Sequence, residues 1–270
     1  MAIVNFNEPY DFSEKTVLIT GAASELGEQF ARTFCEVGAR VILAARNITR
    51  LKMLSLEIPN SIPIRLDVSD ENSVKDCLTQ LESNGERIDI CVNNASITGL
   101  TPIFTETEEE DDDDEGEFES IMNTNLLGVW YVIKNVAKHM RKYDIHGSII
   151  NISSVNTDEV PEIGGYAYSI SKGSVIHLTV KLALELSHYR IRINCIAPGA
   201  VKKPNLRVNS DTVMSCTRSK IVEDPCDISK LILSLSLHDS SHFFKGACFT
   251  IDDNGAFFDV NYPQDNKTRN

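Results

Sequence analysis

The chain is short of positive charge, has no pairing pattern among its cysteines, and has no long apolar run. Each absence excludes something. Lys and Arg total 26 against 39 Asp and Glu, a formal net charge of −13. That balance argues against a nucleic-acid phosphate surface as partner. Seven cysteines stand at 35, 77, 91, 195, 216, 226 and 248, with wide spacing and no CxxC. They read as small core residues in a reducing compartment, with neither disulfides nor zinc. No stretch approaches the roughly 18–20 apolar residues of a membrane span. The N-terminus, MAIVNFNEPYDF, has no basic region followed by an apolar one, so no secretory signal is expected and the cytoplasm is the default location. His139, His146, His177 and His188 show no metal-ligand grouping.

The negative charge is concentrated. Residues 106–119, ETEEEDDDDEGEFE, hold eleven acidic side chains and leave about −2 on the rest of the chain. This run is the one low-complexity segment, and an acidic loop is expected at about 105–117, ahead of a long helix. A chain of 270 residues with 42% apolar and 24% charged residues is long enough for one large core, and the whole chain, 1–270, reads as a single domain.

Short apolar runs alternate with helical patterns. Strands are expected at 16–20, 40–44, 62–66, 88–92, 148–152, 191–196 and 247–251. Helices are expected at 24–37, 47–56, 70–83 with an Asp cap, 118–142, 166–189 and 225–237. All-apolar strands separated by helices imply an α/β domain, a doubly wound parallel sheet with helices on both faces.

Two patterns carry chemistry. Tyr168 and Lys172 stand four apart, one helical turn, so their side chains share a helix face. An ammonium beside a phenol favours the phenolate, and a tyrosine tuned that way can exchange a proton with an alcohol or carbonyl. Upstream, the first strand runs into TGAASELG (20–27) and then a helix. Glycines in a first strand–helix turn let the backbone approach a pyrophosphate resting on the helix N-terminus. At the end of the second strand, where an acidic residue would bind the ribose hydroxyls of NAD, the chain has Arg46. A guanidinium suits a 2′-phosphate, so NADP(H) is favoured over NAD(H).

Seven segments in order are TGAASELG (20–27), LDV (66–68), NNAS (93–96), NTNLLG (123–128), GSIINISS (147–154), YSISK (168–172) and INCIAPGAV (193–201). Together they resemble the short-chain dehydrogenase/reductase family over nearly the whole length. The resemblance implies a Rossmann-like fold and an oxidoreductase moving hydride between NADP(H) and a carbonyl or secondary alcohol. It implies Tyr168 as general acid/base, Lys172 lowering its pKa and holding the nicotinamide ribose, Ser154 bonding the substrate oxygen, and Asn125 holding a water in the proton relay. Ser153 is the alternative to Ser154, and Tyr166 a competing aromatic without a lysine four residues on. The cofactor-binding set is Gly21, Ser24, Leu26, Gly27, Arg46, Asp67, Val68, Asn94, Ala95, Tyr168, Lys172, Pro198, Gly199 and Val201. The resemblance also implies a homo-oligomer, a dimer or tetramer, with a small-molecule substrate.

The chain departs from the family pattern at Glu25, where the cofactor turn has its middle glycine, at Ser96 for the glycine of NNAG, at Lys203 after the Pro-Gly turn, and at 252–255. These departures leave open an alternative, a non-catalytic dinucleotide-sensing or scaffold protein of the same fold. The substrate walls are expected from 155–165 and 202–220. The second segment carries Lys202, Lys203, Arg207, Arg218 and Lys220.

Overall fold

A computed structural model describes residues 10–99, 101, 114–155, 165–199, 201, 224–237 and 243–251. The strands are β1 Thr16–Thr20, β2 Arg40–Ala45, β3 Ser61–Arg65, β4 Ile90–Asn93, β5 Ser148–Ile152, β6 Arg192–Pro198 and β7 Cys248–Ile251. They form one seven-stranded sheet in the order β3-β2-β1-β4-β5-β6-β7, every pair parallel. The helices are α1 Glu25–Glu36, α2 Ile48–Glu57, α3 Glu71–Ser83, α4 Asp114–Met122, α5 Gly128–Lys142, α6 Tyr166–Ser187 and α7 Pro225–Ser236.

Two apolar clusters cover the two faces. Strand residues alternate between them, as the two-residue period of a strand requires. In β1, Leu18 joins one cluster while Val17 and Ile19 join the other. The first cluster receives Val74 and Leu81 of α3, Val132 and Val136 of α5, and Val175 of α6. The second receives Phe30 and Phe34 of α1, Leu51 and Leu54 of α2, and Ile232 of α7. Strands covered on both sides are buried along their whole length and read as near-continuous apolar runs, as β1 does between Thr16 and Thr20.

Local chemistry sets the helix starts. Asp70 caps α3 by accepting from Asn72 N, and Asp224 caps α7 ahead of Pro225. Each satisfies an amide that the first turn leaves unbonded. The helix expected from residue 118 begins at Asp114 instead. Acidic residues are favourable against the positive end of a helix dipole, so part of the acidic run winds into its first turn. The rest of that run, 102–113, lies outside the described residues.

Between α4 and α5 the helix widens into a π-turn over Asn123–Leu127, closed by Gly128 N donating to Asn123 O. Such turns inside α-helices are frequent at functional sites. Chain order reverses between β1 and β4: the first three strands step one way from β1, and β4 to β7 step the other. In an open parallel sheet the crevice beyond the carboxyl ends of such strands is where ligands bind.

Candidate active site at the carboxyl edge of the sheet

A cavity of about 780 Å³ opens at that reversal point. Its wall comes from residues just past β1 (Gly21, Ser24), β2 (Arg46), β3 (Asp67) and β4 (Asn94, Ala95). Tyr168 and Val201 also reach it.

The turn after β1 is built around two glycines. Gly21 has φ +66°, and a Cβ there would stand 2.7 Å from Ala95 Cα. A Cβ on Gly27 would run into Gly21 O. Both approaches are to backbone, so any side chain would force the turn apart. Ser24 caps α1: its Oγ accepts from Gly27 N at 3.1 Å and donates to Gly21 O at 2.8 Å. The Asn94 side chain ties the turn to β4, donating to Thr20 O at 3.1 Å and Gly21 O at 3.2 Å. Thr20 Oγ1 in turn accepts from Asn94 N and Ala95 N. Asn94 therefore also holds the loop that shapes the cavity. The open N-terminus of α1 and the two closely packed glycines fit a pyrophosphate.

Glu25 is the first residue of α1, exposed, and on the cavity wall. At that position its charge favours the helix N-terminus, which accounts for a carboxylate being tolerated in the turn. Leu26 lies behind it, half-buried against the apolar cluster beneath α1. Arg46 stands exposed on the cavity wall at the end of β2. Asn47 caps α2 behind it, accepting from Arg50 N at 3.0 Å. Asp67 is held by Ser69, whose N and Oγ both donate to its Oδ1. Its neighbour Val68 shares the cavity wall.

A second constellation lies where β5 ends and α6 begins. The Ser154 hydroxyl hydrogen-bonds the Tyr168 phenol. Ser153 is spent elsewhere: its Oγ donates to Lys172 O at 2.8 Å. Tyr166 lines a different groove, between the long helices, and Tyr168 is the tyrosine on the cavity. Lys172 is buried, and its Nζ donates to Ile152 O at 2.9 Å. The same ammonium stands 5.7 Å from the centroid of the Tyr168 ring.

The electrostatics differ from the expectation that the lysine draws the phenol down. Burial raises the Tyr168 pKa, against a smaller lowering by the Ser154 hydrogen bond. Burial also pulls Lys172 down from 10.5 to about 8, with Cys195 a smaller opposing influence. Both shifts have one cause. The charged form of each group loses its water in a site walled by protein.

Asn125 sits inside the π-turn. Its Oδ1 accepts from Ile97 N at 2.8 Å, and its Nδ2 donates to Ile97 O at 2.9 Å and Ser171 Oγ at 3.1 Å. Ser171 Oγ donates to Tyr168 O at 2.7 Å. Asn125 thus couples the loop after β4 to the helix that carries the tyrosine. Pro198 ends β6 and accepts from Val155 N at 3.0 Å, and Gly199 N donates to Ile251 O at 2.8 Å.

One buried polar network is not among the sequence expectations. Asn93 Nδ2 donates to Asn151 Oδ1, and Asn151 Nδ2 to Thr179 Oγ1, each at 2.8 Å. This buried chain crosses from β4 through β5 to α6. The signal was present as asparagines inside otherwise apolar strand runs, since polar groups survive burial only when paired. Of the expected substrate walls at 155–165 and 202–220, residues 156–164 and the whole second segment with Lys202, Lys203, Arg207, Arg218 and Lys220 lie outside the described residues, as do 252–255. Among the described residues no group of three His, Cys, Asp or Glu side chains could hold a metal, and no helix is long and apolar enough to cross a membrane.

Comparison with known proteins agrees with the geometry. The sequence profile described as short chain dehydrogenase matches residues 15–213. A 3-oxoacyl-(acyl-carrier-protein) reductase of Thermotoga maritima is 32% identical over 236 residues, covering 84% of this chain and 92% of that protein. An L-fucose dehydrogenase of Oryctolagus cuniculus is 34% identical over 194 residues, 72% of this chain but only 65% of that protein. Among solved structures, a short-chain type dehydrogenase/reductase from Mycobacterium marinum superposes with a TM-score of 0.80 at 29% identity, covering 90% of this chain and 96% of that one. With the glycine turn, the reversal-point cavity and the Ser154–Tyr168–Lys172 group already in place, these likenesses show that the chain belongs to the short-chain dehydrogenase/reductase family and is an NAD(P)-dependent oxidoreductase.

Proposed function

We propose that the protein interconverts a carbonyl and a secondary alcohol with NADP(H) in preference to NAD(H), using Tyr168 as general acid/base. The observation that carries this reading is the placement of Tyr168. Its phenol bonds Ser154 and faces the same cavity that Arg46 and the glycine turn line. The bound nicotinamide supplies hydride chemistry, which no side chain provides.

The protein's own groups supply the rest. The phenol, held neutral by its surroundings, donates its proton to a carbonyl oxygen, or accepts one from an alcohol in the reverse direction. Ser154 holds that oxygen beside the phenol. Lys172, with a pKa near 8, is predominantly cationic at neutral pH and stabilises the phenolate when the proton leaves. Asn125 fixes the helix segment on which the tyrosine stands, through Ser171. Gly21, Ser24, Leu26 and Gly27 shape the cradle for the pyrophosphate. Asp67 and Val68 meet the adenine, and Asn94 and Ala95 flank the ribose. Pro198, Gly199 and Val201 pass beside the nicotinamide. Arg46 meets the 2′-phosphate as a charge-assisted donor.

The same reading includes self-assembly. Leu127, Trp130, Ile170, Val180 and Leu184 are exposed on the helices that carry Asn125 and Tyr168, Leu184 at 74%. Apolar side chains spread around a helix call for a second covered face, and a two-fold pairing of these helices supplies it.

The test is titration with NADPH and NADH, followed by a ketone panel with Tyr168→Phe. Loss of roughly 10²–10⁴ in kcat/KM is expected for a missing general acid/base. Failure of wild type to bind either dinucleotide, or full activity in the variant, would overturn the proposal.

A further inference from the structure

Cys195 of β6 and Cys248 of β7 are partners in register on adjacent parallel strands. Cys195 N donates to Ala247 O at 2.8 Å, which fixes the strands at that point. Residues in register on neighbouring strands project to the same face, about 4.8 Å apart at Cα. That separation lies inside the Cα range of about 4.4–6.8 Å that a disulfide spans. Cys195 is buried, and Cys248, on the edge strand, is half-buried.

We propose that Cys195 and Cys248 form a redox pair that a hydroperoxide closes to an intrachain disulfide. The Cys248 sulfur attacks one peroxide oxygen, the O–O bond breaks, and hydroxide leaves, giving a sulfenic acid. The Cys195 sulfur then attacks the Cys248 sulfur, the S–S bond forms, and the second hydroxide leaves. The protons of the two thiols convert both hydroxides to water. Two thiols are oxidised by two electrons, and one hydrogen peroxide is reduced to two waters.

Burial assigns the order, since Cys248 is the more exposed of the two. Cys195 Sγ donates to Ile196 O at 3.8 Å, and the Cys195 sulfur beside it holds the Cys248 pKa below its usual value, while Cys195 is itself raised. Reactivity toward peroxide follows thiolate character and access. The other described cysteines lack this combination. Burial raises Cys77 to about 12 and raises Cys91 further, and Cys35 and Cys226 are raised as well. The pair is also placed to matter. Cys195 is close enough to Lys172 for each to shift the other's titration.

The test is peptide mapping of the whole protein after hydrogen peroxide, denaturation and alkylation of remaining thiols. A peptide pair joined through Cys195 and Cys248, two hydrogens lighter and released by dithiothreitol, is expected. In Cys248→Ser, Cys195 should stay fully alkylatable under the same exposure. The inference is overturned if both cysteines are fully alkylated under conditions that oxidise exposed Cys226. It is equally overturned if Cys248 ends as a sulfinic acid, or joined to another cysteine, with Cys195 still reduced. The mapping is made on wild type, so it does not depend on a variant folding, and it needs no substrate.

Discussion

Replacing Arg46 by alanine isolates the cofactor preference from everything else in the site. Two arginines stand near the start of α2, and they differ in their commitments. Arg50 Nη2 lies 2.7 Å from Glu28 Oε2, and Glu28 also accepts from Arg32. Arg46 lines the cavity, with no ion pair among the described residues. A charge-assisted hydrogen bond to a phosphate contributes about 1.5–3 kcal/mol, or roughly 10- to 150-fold in affinity. Arg46 is exposed and its charge is screened, so the lower half of that range applies. Arg46→Ala should therefore weaken NADPH about 10- to 40-fold and leave NADH within about twofold, because NADH has no 2′-phosphate to lose. Arg50→Ala should change the ratio little, since that guanidinium is already paired. Fluorescence titration of both dinucleotides against the three proteins at low and moderate salt reads the outcome. A wild-type preference for NADH, or equal weakening of both dinucleotides by Arg46→Ala, would refute the assignment.

The remaining predictions concern charge. NADPH affinity should fall as pH rises through about 8, where Lys172 loses its proton, and Lys172→Met should bind more weakly with a flat profile there. A second pH effect belongs to stability. His139 is buried, with Nε2 accepting from Ile88 N and Nδ1 on Glu82, and burial lowers its pKa. Below about 6.5 the unfolded chain binds a proton that the native ring resists, so this group's contribution is present above that pH and is lost as pH falls toward its folded value. Urea melts from pH 7 to 5 should show a loss of stability, at most about 1.4 kcal/mol per pH unit for one proton, that is absent in His139→Gln, and an unchanged slope in the variant would remove His139 as the cause. Glu25→Gly should tighten NADPH less than about tenfold if the carboxylate stays in water at the helix start, and larger, salt-sensitive tightening would place its charge against the phosphates.

Much of this architecture is written in local patterns. The strands 16–20 and 148–152 match the sequence expectation to the residue, because a strand buried on both faces stands out as a short, mainly apolar run. Other ends moved by a residue or two. β4 starts at Ile90, not 88, because Ile88 N is taken by His139 and Asp89 N by Thr16 O, outside the ladder. The helix expected as continuous from 118 starts earlier and contains the π-turn.

The site divides along the same line. Positions fixed by backbone, such as Gly21 and Gly27, are legible because no other residue fits them. Ser153 and Ser154 are harder to tell apart from sequence. Both are buried, adjacent and chemically alike, and only the structure shows that Ser153 is already bonded to Lys172 O. The sign of the tyrosine's shift differs from the sequence expectation for a related reason. Pairing a tyrosine with a lysine one helical turn away counts their mutual attraction but not the loss of water around both. In this fold the second effect is the larger, and it acts on the two groups in opposite directions. Their titrations move toward one another, from the usual separation of about half a unit to a reversed order in which the lysine deprotonates first. A proton donor for a carbonyl gains from that order. The phenol stays protonated across neutral pH, and the neighbouring cation is present to receive the negative charge only when the proton departs. Substrate choice has no comparable rule, because it depends on loop side chains meeting one particular molecule, and no backbone geometry restricts which residues those can be.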